Sequence, residues 1–100
     1  MKAVRFHDAA REELLDEIRY YAGISPSLGE RLAGEIEQAR RLASEFPDMG
    51  SPYKHGTRRA FPRKFPFSIV YLARKSEVYV LALAPFNRKP GCWRTRRRDG

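Results

Sequence analysis

The opening "KAVRFH" alternates, with Val4 and Phe6 on one side and Arg5 and His7 on the other, as a short half-buried strand does. Asp8 then stands where an N-cap is wanted, ahead of "AAREELLDEIRYYAG". There Ala10, Leu14, Ile18 and Tyr21 recur at helical spacing, and Gly23 is placed to end the helix. In "SPSLGERLAGEIEQARRLASEFP" the stripe is cleaner: Leu28, Leu32, Ile36, Ala39, Ala43 and Phe46 lie along one face. Ser25 with Pro26 suits the start of that helix, and Pro47 ends it. The short joint between the helices predicts an antiparallel hairpin. After "DMGSPYKHG", a loop by composition, the period becomes two. "TRRAFP" reads as an edge strand because of Pro62, whereas "FSIVYLAR" and "EVYVLALA" are apolar on both faces, as central strands are.

The order strand, helix, helix, three-stranded antiparallel meander predicts an α+β domain of two layers. The helix hairpin is expected on one face of the sheet. The other face is then expected to be partly open. Val70, Leu72, Val78 and Val80 are the residues expected there, on a surface where a partner segment would dock.

The 100 residues are expected to form one domain, with 95–100 as a basic tail. No apolar run is long enough for a membrane span, and "MKAVRFHDAAREELL" lacks the apolar core of a signal segment. A single cysteine makes no internal disulfide and fits a cytoplasmic location. His7 and His55 are isolated, no Cys/His spacing suits a metal, and there is no glycine-rich phosphate loop. No metal and no cofactor are expected. Glu12, Glu13, Asp16 and Glu17 are expected on the solvated face of the first helix.

Charge changes the picture more. The formal net charge is +8, and it is segregated. Residues 1–50 carry seven Lys/Arg against ten Asp/Glu, a net −3, and residues 51–100 carry thirteen against two, a net +11. Such asymmetry points to a polyanion or an acidic partner. In a meander the first turn and the exit of the third strand share one sheet end. Arg63, Lys64, Arg88 and Lys89 are therefore expected to gather there with Trp93 and Arg94, while Arg58 and Arg59 sit on the first meander strand. Arginine beside an indole suits both phosphate and base contacts and a protein hot spot.

Three stretches, "YYAGISPSLGERLAGEIEQARRLASEFPDMG", "RRAFPRKFPFSIVYLA" and "VLALAPFNRKPGCWRTR", resemble in order and spacing the ParE toxins of the RelE/ParE superfamily, over about residues 3–96. These belong to type II toxin–antitoxin modules, also described as plasmid stabilisation proteins. The resemblance implies a strand–helix–helix–three-strand fold and a small acidic ParD-like antitoxin that wraps the toxin in a hetero-oligomer. It also implies poisoning of DNA gyrase. RelE-like relatives instead cut messenger RNA on the ribosome. They use cations on the sheet with a tyrosine or histidine near the C-terminus. Here Pro85 stands where relatives often have histidine, and Cys92 where they often have tyrosine.

General acid–base cleavage of RNA needs a proton donor and acceptor beside the cations. Arg63 and Arg88 would serve the phosphate, but the partner is missing, so a toxin that acts by binding is expected. Its contacts are expected at Arg58, Arg59, Arg63, Lys64, Arg88, Trp93 and Arg94, with Trp93 as an exposed anchor. The ribosome-dependent nuclease is the alternative. A non-toxic basic nucleic-acid-binding module, whose affinity would fall steeply with salt, is a third reading.

Overall fold

The computed structural model describes residues 2–86 together with Trp93, Thr95 and Arg96. The alternating start is strand β1 (Ala3–Phe6), and it leads into helices α1 (Asp8–Ile24) and α2 (Pro26–Glu45). His7, not Asp8, caps α1: its Nδ1 accepts the Ala9 N–H at 3.0 Å. Asp8 falls in the first turn, where its charge favours the helix dipole. Gly23 lies inside α1, which runs on to Ile24. The hairpin is close because Gly29 of α2 rests on Ala22 of α1, where an added Cβ would come within 2.7 Å of the alanine Cβ.

A two-residue strand β2 (Ser51–Pro52) precedes β3 (Arg58–Ala60), β4 (Phe67–Ala73) and β5 (Glu77–Pro85). The order across the five-stranded sheet is β1-β5-β4-β3-β2. The meander β3-β4-β5 is antiparallel as expected. β1 adds beside β5 in parallel, with Ala3 opposite Glu77 and Phe6 opposite Val80. No helix among the described residues is long and apolar enough to cross a membrane.

The helices cover one sheet face. Leu32, Ile36 and Ala43 of α2 and Ala10 of α1 pack against Phe67, Ile69, Tyr71, Val78, Val80 and Leu83. The opposite face carries a second cluster: Val70, Leu72, Tyr79, Leu81, Ala82 and Trp93. A register shift separates them on β5. Val70 faces Ala82 but Tyr71 faces Val80, so Leu81 is an extra residue. The bulge puts both Leu81 and Ala82 on the second face and returns Leu83 to the helices.

The expected open face is corrected by these facts. Val70 and Leu72 point to one side and Val78 and Val80 to the other, and all four are buried. Neighbouring antiparallel strands place side chains on a face according to register, and this register splits the set.

One loop is pinned from the sheet. The buried Tyr71 hydroxyl donates to the Pro47 carbonyl at 2.9 Å and accepts the Gly50 N–H at 3.1 Å. A side chain at Gly50 would come within 2.2 Å of that hydroxyl oxygen. Burial pushes the Tyr71 hydroxyl pKa up, which keeps it a donor.

Beside β1, Glu77 accepts from Arg5 at 2.9 Å and from Arg74 at 3.0 Å, and both guanidinium groups lie over the Tyr79 ring. The hydrogen bond from Arg5 is the main cause that holds the Glu77 carboxyl below the usual carboxylate range. Because its pKa is depressed on folding, its contribution is full above the unfolded value and fades as pH falls through the folded one. Glu77→Gln is therefore expected to be less stable than the parent at neutral pH, with the two urea midpoints converging under acid. A gap that persists at low pH would show that the charge is not the cause.

Candidate binding surface

Trp93 is 1% exposed. Its ring stacks on Tyr53 at 5.4 Å with an interplanar angle of 24° and lies over the Val70–Leu81 side of the sheet. An indole so placed is a core residue, and this corrects its expected role as an exposed anchor. The cause is a sheet whose second face is as apolar as its first. Something must cover it, and the largest apolar side chain near the C-terminus does. The buried indole Nε1 has no hydrogen-bond partner, and neither has the Nε of Arg59.

Among the described residues, the expected cations do not converge on that ring. Arg58 and Arg59 are consecutive on β3 and point to opposite faces. Arg58 donates to the carbonyls of Asp48 and Gly50 at 3.0 and 2.8 Å, so it braces the same loop as Tyr71. Arg59 stacks on Tyr53 at 3.9 Å and reaches Phe61 at 5.0 Å. Arg63 and Lys64 are exposed on the β3–β4 turn. That turn does meet the exit of β5, where the Phe86 N–H donates to the Pro66 carbonyl at 3.0 Å. Arg88, Lys89 and Arg94 lie outside the described residues. Arg96, assigned to the tail, instead forms a two-pronged ion pair with Glu13 at 2.9 and 3.1 Å. That removes Glu13 from the solvated face expected for it.

The β3–β4 turn is anchored from inside. Pro62 and Phe65 are buried, and the Phe65 ring meets Tyr21 edge-on at 5.1 Å. Between them Lys64 takes φ 68°, a left-handed backbone that costs a non-glycine residue about 1–2 kcal/mol. The loop thus holds Phe61, Arg63 and Lys64 outward.

Next to it a groove of about 340 Å³ runs between α2 and the β2–β3 edge. Its walls include Leu42, Phe46, Met49 and Phe61, which are 43%, 51%, 71% and 47% exposed, with Arg59 and Arg63 on the sheet side. Large apolar side chains standing together in water mark an interaction surface.

A family model described as the ParE toxin of the type II toxin–antitoxin system, parDE, matches residues 4–90. The chain belongs to the ParE toxin family. Among solved structures, this ParE-type chain is similar to one from the chromosomal ParDE TA system of P. aeruginosa. The TM-score is 0.73 at 18% identity, over 85% of this chain and 96% of the other. At that identity the likeness speaks for the fold. No curated protein sequence matches the chain.

Sequence reasoning missed the exposed apolar side chains of this ParE-type chain. Phe46 closes the expected helical stripe, yet α2 ends at Glu45, and Phe46, its C-cap at φ −132°, leaves the helical stripe and stays in water. Phe61 beside Pro62 and Phe86 beside Pro85 carry no periodic signal. Only the coincidence of two aromatics, two prolines and a basic pair around one turn pointed toward them.

Proposed function

We propose that this ParE-type toxin acts by binding DNA gyrase, with Arg63 and Lys64 among its contacts, and that a small acidic antitoxin neutralises it from the α2–β3 groove. Arg88 and Arg94 are kept as contacts on the sequence reading alone. Arg58 and Arg59 serve mainly to brace the surface. The observation that carries the partner reading is the groove. It offers four exposed large apolar side chains, with Arg63 at its sheet-side rim and Glu35 on its α2 wall, and suits an apolar segment with a carboxylate toward the sheet side.

Paired charge substitutions in the groove, Leu42→Lys with Phe46→Lys, are expected to weaken the cognate antitoxin by about 30-fold or more, the effect of losing interface hot spots. Growth arrest should persist and antitoxin co-expression should no longer relieve it. The measurement is antitoxin affinity together with colony survival. Undiminished rescue would place the antitoxin elsewhere. For the target, inhibition of gyrase supercoiling with transcripts left whole is the expected result. Cut transcripts with normal supercoiling would turn the reading to the ribosome-dependent nuclease.

A further inference from the structure

We propose that Phe61 and Phe86 are the aromatic anchor of the target-contact end, and that they seat on an acidic protein surface that supplies an apolar pocket between carboxylates. This rests on the reading of the chain as a binding toxin and names the residues that would carry the binding. Phe61 follows β3 and Phe86 follows β5, yet the rings lie 6.2 Å apart at 54° and are 47% and 60% exposed. Two adjacent aromatic side chains this exposed suit an aromatic contact with a partner.

The framework is built for display. Phe65 and Pro62 hold the turn from inside, and the Phe86 N–H to Pro66 carbonyl bond ties the β5 exit to it. Little conformational freedom is then left to lose on binding. The pair forms a ridge between two hollows. On the Phe61 side lies the groove of about 340 Å³, and beside Phe86 lies a cleft of about 300 Å³ lined by Glu17, Tyr21, Pro66, Phe67 and Pro85.

Charge identifies the partner. Arg59, Arg63 and Lys64 flank the ridge, and the chain has no Asp or Glu from Gly50 through Ser76. Glu17, in the cleft beyond Phe86, and Glu35, on the α2 wall of the groove, confine the acidic partner to the ridge and the cations beside it. A nucleic-acid strand fits less well. Rings tilted at 54° do not make the parallel platform on which bases stack.

Phe86 does not line the groove, so it separates target from antitoxin. Phe86→Ala is expected to lower affinity for purified gyrase at least tenfold and to relieve growth arrest. Its melting temperature and antitoxin affinity should match the parent. Phe61→Ala should lose the target likewise, Phe86→Leu should lose part, and Arg63→Glu with Lys64→Glu should slow association. Unchanged arrest and gyrase affinity in both alanine variants would overturn the anchor while leaving the gyrase reading intact. Should the parent not bind gyrase at all, arrest lost in folded Phe86→Ala would keep the anchor and dismiss that target. A single-stranded RNA probe bound by the parent, released by salt and lost in Phe86→Ala, would overturn the protein partner.

Discussion

Trp93→Ala is expected to leave the domain barely folded. Removing a fully buried tryptophan costs about 3–5 kcal/mol, against about 5–15 kcal/mol for a whole domain. For a chain of this size that lowers the melting temperature by about 15 °C or more. The loss is large because the indole covers Val70, Leu72 and Leu81 and also carries the Tyr53 ring, on which Arg59 rests. Trp93→Phe should cost far less, since it keeps a ring in the stack and deletes an N–H that has no partner. Thermal melting of both variants checks this. A stable Trp93→Ala protein would mean that the second sheet face closes without the indole. It follows that lost toxicity in Trp93→Ala would report unfolding, whereas lost toxicity in Phe86→Ala would report contact. Any alanine scan of this chain needs a melting curve beside each phenotype.

The elements were legible because each is buried on the side its pattern implies. The stripe of α2 from Leu32 to Ala43 faces the sheet, and β4 and β5 read as apolar on both sides because both sides are covered. What was hidden depends on register and on chain reversal. Nothing in "EVYVLALA" says that Leu81 is the bulge residue, yet that one residue decides which way Ala82 and Leu83 point. The expected docking set straddled two faces for the same reason. The parallel pairing of β1 with β5 also has no local signature. The basic end was half legible: turn geometry brought Arg63 and Lys64 to the β5 exit, but the indole expected among them belonged to the core. Residue type alone does not separate a hot-spot tryptophan from a core tryptophan. The apolar face it would otherwise leave bare decides.

The Glu13–Arg96 pair is expected to be the second most costly contact to break, and its worth comes from where β1 stops. β1 accompanies β5 only to Val80, so Leu81–Pro85 has no strand beside it on that edge among the described residues. Glu13 accepts the Leu83 N–H at 3.2 Å and Arg96 donates to the Leu81 carbonyl at 2.9 Å, while the two side chains hold each other. The pair thus takes the place of a strand along an edge that would otherwise invite another chain. Arg96 also closes a turn onto the Trp93 carbonyl at 2.8 Å, so the ion pair holds the segment that carries the indole. With side chains only 19% and 20% exposed, solvent screens them partly, and a coupling of about 1–3 kcal/mol is expected from a double-mutant cycle of Glu13→Ala and Arg96→Ala. Glu13→Ala should be the worse single change, because it strands both a guanidinium and a backbone N–H. Glu13→Gln should recover part by still accepting from Leu83. Urea midpoints of the four proteins decide it. If the two alanine effects simply add, the side chains act separately, and the edge of β5 is guarded by something other than their pairing.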